Sequence, residues 1–119
     1  MNGGFMKHLR LATSIDEMNE KFKHFQTEES RERAQSFIPD PTDIFISPHA
    51  KSGTTWTQQI VHSLRTRGDM DFSEIMEVVP WISMSFDLGV DNHAPQKALP
   101  RAFKSHARWD DIPKGARYI

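Results

Sequence analysis

The chain has 119 residues, which is the size of one domain or of part of one. Its 15 Lys and Arg against 16 Asp and Glu leave a net charge of −1, which argues against a sequence-independent nucleic-acid binder. Cysteine is absent, so disulfide bonds and thiolate metal sites are excluded. The apolar stretches are far shorter than the roughly 20 residues needed to span a membrane, and no secretory signal is visible at the start. We therefore expect a cytoplasmic protein that neither enters a membrane nor binds nucleic acid.

The first third of the sequence predicts two helices. Ser14 and Glu17 are spaced as a capping box, and apolar residues recur behind them at helical spacing, which predicts a helix from Ser14 to Phe25. A second short helix is predicted over 29–36, because the prolines at 39 and 41 cannot continue it. Residues 1–36 are therefore predicted to form a helical lead-in.

The middle of the chain predicts a strand, a loop and a helix. Residues 43–47 form a short apolar run with β-branched and aromatic side chains, which is typical of a buried strand. A helix begins near Thr54 and ends at Gly68. Four apolar residues of this helix are predicted to share one of its faces: Trp56, Ile60, Val61 and Leu64.

The last third predicts a short helix and two further strands. Ser73 is placed to cap a helix over 74–77 that Pro80 stops, and strands are predicted over 101–104 and 116–119. Strands that alternate with a helix in this order predict an α/β fold with a parallel central sheet. The chain stops at Ile119, inside the last predicted strand, so we expect an incomplete domain that is truncated at the C-terminus.

The loop 51–56 carries the strongest chemical signal. It lies between a predicted strand and a predicted helix, where backbone N–H groups and the helix dipole favour an anion. Gly53 allows the backbone to approach a phosphate closely, and Lys51 adds a mobile positive charge. Hydroxyl donors stand at three positions, Ser52, Thr54 and Thr55. The spacing differs from a Walker A loop, so a phosphate loop of another kind is indicated; the alternative is a capped helix behind a glycine turn.

Two segments carry a family resemblance. Residues 45–56 read Phe-Ile-Ser-Pro-His-Ala-Lys-Ser-Gly-Thr-Thr-Trp, and residues 103–106 read Phe-Lys-Ser-His. They resemble the 5′-phosphosulfate loop and the strand ending in Lys-Thr-His of the cytosolic-type sulfotransferase family, which uses 3′-phosphoadenosine 5′-phosphosulfate (PAPS) as sulfuryl donor. Ser105 replaces the Thr, and His49-Ala50 replaces the usual Tyr-Pro before the loop Lys, which removes a rigid φ there.

The resemblance implies a fold and a domain organisation. The fold would be a partial, P-loop-like three-layer α/β fold. Residues 1–119 would be the N-terminal part of a sulfotransferase domain. Within it, residues 1–36 lead in, and residues 37–119 hold the phosphosulfate loop and the strand that carries the catalytic His.

The resemblance also implies roles for individual residues. His106 would take the proton of a hydroxyl or amine acceptor, while Lys51 and Lys104 would hold the phosphosulfate and the transferring sulfuryl group. The 5′-phosphate would be bound by Ser52, Gly53, Thr54 and Thr55, and Trp56 would stack on the adenine. Trp81 and Phe86 lie where the family lines its acceptor pocket. These three aromatic residues equally suit a core, the other histidines are given no role, and no metal is implied.

Three classes of function remain open. The first is part of a PAPS-dependent sulfotransferase acting on a small molecule; because the family's 3′-phosphate elements are absent, we expect this chain to be inactive alone. The second is a truncated, non-catalytic protein that binds a nucleotide or a partner. An unpaired strand edge at Ile119 favours pairing with another chain, including a second copy in a homodimer. The third is an ATP-dependent P-loop kinase, which lacks its Walker pattern here.

Overall fold

The computed structural model describes residues 11–23, 26–49 and 51–119. In chain order its elements are α1 (Ile15–Phe22), α2 (Glu28–Gln35), β1 (Ile44–Ile46), α3 (Thr54–Thr66), a 3₁₀ helix (Ile75–Glu77), β2 (Ala102–Lys104) and β3 (Arg117–Tyr118). Each predicted helix and strand is present, with its ends shifted by a few residues. The predicted end of the first helix at Phe25 lies outside the described residues. None of the helices in the described ranges is long and apolar enough to cross a bilayer.

The three strands form a parallel sheet in the order β2–β1–β3. Phe45 of the central strand is in register with Phe103 of β2 and Tyr118 of β3. Pairing continues past β3, where the N–H of Ile119 donates to the carbonyl of Phe45 at 2.9 Å. Because parallel strands end at the same edge of a sheet, the loops that follow β1 and β2 meet there. The predicted α/β fold with a parallel sheet is therefore confirmed.

Helical segments cover both faces of this sheet. On one face Val61 of α3 packs in a cluster with Ile46 and Ala102. On the other face Ala34 of α2 packs in a second cluster with residues that include Phe45 and Phe103, whose rings stack with centroids 5.4 Å apart. The described part of the chain thus forms three layers, as predicted.

The face of α3 that packs on the sheet differs from the predicted one. Trp56, Ile60 and Leu64 are 74%, 48% and 77% exposed, and only Val61 of the predicted apolar face is buried. The buried residues of the helix are mostly polar, namely Thr54, Gln58, Val61 and His62. Gln58 can face inward because its side-chain amide donates to the carbonyl of Val79 at 3.1 Å.

His62 is held in a polar network at the end of α3. Arg65 donates to His62 Nδ1 at 2.9 and 3.1 Å, so Nε2 carries the ring proton and donates to Asp69 at 2.8 Å. This hydrogen bond, with a second from Lys97 at 3.0 Å, lowers the pKa of Asp69 to about 2. His62, to which the sequence assigned no role, therefore has a structural one.

The two predicted N-terminal caps have different outcomes. Ser14 Oγ accepts a hydrogen bond from the N–H of Glu17 at 3.1 Å, as the capping box predicts. The prediction for Ser73 is wrong, because the 3₁₀ helix begins after Glu74 and has no side-chain cap. The N–H of Ser73 instead donates to the carboxylate of Glu77 at 3.3 Å.

Candidate active site

The loop between β1 and α3 turns sharply before the helix begins. Gly53 is the N-cap of α3 with a φ of +94°, and Lys51 has a φ of +63°. A Cβ added to Gly53 would meet no atom within 4 Å, so the space beside this residue is open. Ser52 Oγ donates to the carbonyl of His49, so this hydroxyl is used within the loop. The first N–H groups of α3 have no intrahelical acceptors and are available to an anion.

Thr54 adds a buried hydroxyl to the start of α3. The residue is 7% exposed, and its Oγ1 has no hydrogen-bond partner among the described residues. An unpaired buried hydroxyl costs about 1–3 kcal/mol, which a ligand oxygen would offset. Together with the open space beside Gly53, this orphaned donor fits a phosphate group at the N-terminus of α3.

His106 follows β2 and is held against the loop that follows β1. Its Nδ1 lies 3.2 Å from the carbonyl oxygen of Pro48. Since a carbonyl only accepts, Nδ1 donates, and Nε2 of the neutral ring is left with a free lone pair. The turn is anchored by Ser105, which is buried and whose N–H donates to the carbonyl of Ile46 at 2.9 Å. The arrangement presents an imidazole acceptor at the edge of the sheet.

Lys104, the last residue of β2, supplies a cation beside this imidazole. Its Nζ lies 4.2 Å from the centroid of the Trp81 ring, and the same ring packs edge to face on His106 at 5.6 Å. Burial lowers the pKa of Lys104; the carboxylate of Glu74 opposes this effect, and the positive charge of Lys51 adds to it. Lys51 and Lys104 are close enough for their mutual repulsion to lower the pKa of Lys104, so an anion beside both would be stabilised.

These groups line one open cleft of about 960 Å³ at the carboxyl edge of the sheet. Most of the predicted site residues border it, namely Lys51, Gly53, Thr54, Thr55, Trp56, Trp81, Lys104 and His106. Trp56 is therefore an exposed residue of the cleft and not part of the core. The arrangement can hold an anionic group at the loop and place a proton acceptor near it.

Two predicted residues are not among those that line the cleft. Ser52 offers only its backbone, because its hydroxyl is bonded within the loop. Phe86 lines a separate groove, where the guanidinium of Arg33 lies 4.1 Å from the centroid of its ring.

Sequence reasoning missed two contributors to the site. Gln26, which precedes α2, lines the cleft, although nothing in its sequence context indicates a role there. Pro48 orients His106 through a carbonyl oxygen, and a backbone group leaves no signal in residue type. Across residues 11–23, 26–49 and 51–119, no group of three or more His, Cys, Asp or Glu is placed to hold a metal ion.

Comparison with known proteins identifies the family. The family described as "Sulfotransferase domain" matches residues 41–117, which include the loop 51–56 and His106. Sulfotransferase 1B1 of Mus musculus is 32% identical over 90 residues, which is 70% of this chain and 30% of the relative. Sulfotransferase 1C2 of Homo sapiens is 29% identical over 85 residues, which is 66% of this chain and 28% of the relative. The matched part thus spans less than a third of either relative, and the chain belongs to the sulfotransferase domain family.

Proposed function

We propose that the cleft is the donor site of a sulfotransferase that moves a sulfuryl group from PAPS to a hydroxyl or amine of a small molecule. One observation carries the proposal: Lys51, Lys104 and His106 border the same cleft. Transfer of a charged group between two oxygens needs cations around that group and a base beside the acceptor. The names of the relatives agree with this chemistry.

The loop and the start of α3 are assigned to the phosphosulfate end of the donor. Thr54 and Thr55 donate to the 5′-phosphate, and Gly53 and Ser52 contribute backbone N–H groups. The exposed ring of Trp56 is available to stack on the adenine. PAPS supplies an activated sulfuryl group and leaves as 3′,5′-bisphosphoadenosine.

The β2 side of the cleft is assigned to the transfer itself. His106 takes the acceptor proton at Nε2 as the acceptor oxygen or nitrogen bonds the sulfur. Lys51 stabilises the negative charge left on the phosphate oxygen when the bond between that oxygen and sulfur breaks. Lys104 holds the sulfuryl oxygens, and Trp81 borders the acceptor. A contact between Phe86 and the acceptor stays a prediction.

A pair of glycine variants tests the assignment of the loop. Gly53 and Gly115 both have a φ of +94°, and an added Cβ meets no atom within 4 Å at either position. Alanine therefore costs a similar backbone strain at both, about 1–2 kcal/mol. Only at Gly53 does the methyl group enter the space assigned to the phosphate. We expect Gly53→Ala to weaken binding of 3′,5′-bisphosphoadenosine about tenfold by calorimetry, and Gly115→Ala to leave the affinity unchanged.

Two results would contradict the proposal. Equal losses of affinity in both variants would mean that backbone strain, and not contact with the phosphate, lowers the affinity. Failure of the unmodified chain to bind 3′,5′-bisphosphoadenosine would show that the cleft is not a donor site. Tighter binding of ATP than of 3′,5′-bisphosphoadenosine would favour an ATP-dependent enzyme instead.

A second candidate function is binding of the nucleotide without catalysis. It needs only the groups assigned to the phosphate, namely the open space beside Gly53 and the unpaired hydroxyl of Thr54. Incubation with radiolabelled PAPS and a panel of phenols and amines separates the two functions. Nucleotide binding without sulfate transfer favours the second candidate, whereas transfer that His106→Gln abolishes favours the first.

A further inference from the structure

A smaller cavity adjoins the cleft, and His106 and Trp81 line both spaces. It has a volume of about 240 Å³ and lies between α2 and the segment that follows β2. Its apolar lining includes three buried residues, Ala34, Ile82 and Pro113. His106 therefore stands between the space assigned to the donor and a second, partly apolar space.

Two arginines line the exposed side of this cavity. Arg31 comes from α2 and Arg108 from the segment after β2. Within the ranges that the structure describes, neither guanidinium makes a hydrogen bond or an ion pair. By contrast, Arg33, which is also on α2, is paired with Glu29 at 3.1 Å. Asp111 is the one carboxylate in the lining, so the fixed charges of the cavity sum to +1.

We propose that this cavity binds the acceptor and selects a small aromatic alcohol that carries a carboxylate. This inference rests on the proposed function and names the acceptor class for it. The ring packs against Ile82 and Pro113, and the hydroxyl meets His106 Nε2. The carboxylate pairs with Arg31 or Arg108, whose planar guanidinium matches its geometry. A volume below the 300 Å³ or so at which drug-sized pockets begin restricts the acceptor to one or two rings.

Binding of three matched phenols tests the charge preference. The probes are 4-hydroxybenzoate, its neutral methyl ester and the cationic tyramine, titrated into the unmodified chain with saturating 3′,5′-bisphosphoadenosine present. We expect the carboxylate to bind about tenfold more tightly than the ester, and tyramine to bind most weakly. The preference is expected to vanish in the double variant Arg31→Gln/Arg108→Gln. Arg33→Gln is the matched control on α2, because Arg33 faces the groove of Phe86, and it keeps the preference.

The outcomes separate this inference from the proposed function. Nucleotide binding with equal affinities for carboxylate and ester, or a preference that survives in the double variant, overturns the inference and leaves the donor site intact. A charge preference without nucleotide binding refutes the proposed function, and with it the assignment of this ligand as the acceptor. Binding of none of the three phenols also overturns the inference. All the substituted residues are exposed, so loss of folding does not confuse these readouts.

Discussion

Thr54 and Thr66 show how differently one residue type is used at the two ends of α3. The hydroxyl of Thr54 is buried and has no partner in the part of the chain that the structure describes. The hydroxyl of Thr66 donates to the carbonyl of His62 at 2.7 Å and accepts from the N–H of Asp69 at 3.0 Å. The first arrangement lowers stability until a ligand oxygen binds, and the second closes the end of the helix.

Replacing each threonine with valine, which has the same shape, should therefore have opposite effects. We expect Thr54→Val to raise the free energy of unfolding by about 1 kcal/mol, because it removes an unpaired buried hydroxyl. The same change should weaken binding of 3′,5′-bisphosphoadenosine about tenfold. We expect Thr66→Val to lower the free energy of unfolding by about 1 kcal/mol and to leave the affinity unchanged. Urea unfolding and calorimetry measure the two quantities; loss of stability in both variants would show that Thr54 Oγ1 has a protein partner.

Individual residues of the cleft could be predicted where a local sequence pattern determines the backbone conformation. Gly53 and Lys51 stand in a strand–loop–helix segment, and His106 follows a strand parallel to it, so the carboxyl edge of the sheet brings them together. The use of the Ser52 hydroxyl inside the loop was not predictable, since it depends on the position of the His49 carbonyl. The contribution of Gln26 depends on how the lead-in packs, which no local pattern specifies.

The helices and strands could be predicted from turn-forming residues and short apolar runs. The face of α3 that packs on the sheet could not be predicted in this way. Hydrophobic spacing places Trp56, Ile60 and Leu64 together and correctly predicts a stripe. That stripe is the exposed one, because polar residues on the other side of the helix, such as Gln58, find hydrogen-bond partners in other segments. Arg65, for example, donates to the carbonyls of Val78 and Pro100 at 2.7 and 3.0 Å. Periodicity alone cannot detect such long-range hydrogen bonds.

A buried ion pair joins the amino ends of β1 and β2. Arg101 donates through two nitrogens to the carboxylate of Asp43, at 2.7 and 3.0 Å. Asp43 is 1% exposed and Arg101 is 8% exposed. Removal of one partner leaves a buried charge uncompensated, whereas an exposed pair is largely solvated. The Glu29–Arg33 pair, whose side chains are more than half exposed, provides the comparison.

We expect Asp43→Ala to lower the free energy of unfolding by about 3–5 kcal/mol. The buried guanidinium of Arg101 then keeps only the largely exposed carboxylate of Asp40, at 3.4 Å, as its counter-charge. We expect Glu29→Ala to cost about 1 kcal/mol or less. Urea unfolding of both variants measures the difference. The double variant Asp43→Leu/Arg101→Met should recover part of the loss, because it removes the stranded charge. Similar costs at Asp43 and Glu29 would show that the buried pair contributes no more than a surface pair.

At the scale of the whole molecule, two apolar clusters on opposite faces of a three-stranded sheet hold the site together. The cluster under α3 includes Ile46, the last residue of β1 before the loop that leads to α3. The other cluster includes Phe103, three residues before His106. The loop and the imidazole are thus fixed by layers that meet at the sheet. The outer stripe of α3 belongs to neither cluster.

This division predicts a large difference between two neighbouring positions of α3. Val61 is 9% exposed and packs on the sheet, so Val61→Ala should lower the free energy of unfolding by about 1.5–3 kcal/mol. Leu64 is 77% exposed, so Leu64→Ala should change the free energy of unfolding by less than about 0.5 kcal/mol. This small effect is expected although Leu64→Ala removes more apolar atoms than Val61→Ala. Urea unfolding at several protein concentrations measures both values. A cost at Leu64 equal to that at Val61 would mean that the stripe is covered, and dependence of that cost on protein concentration would identify a second copy as the cover.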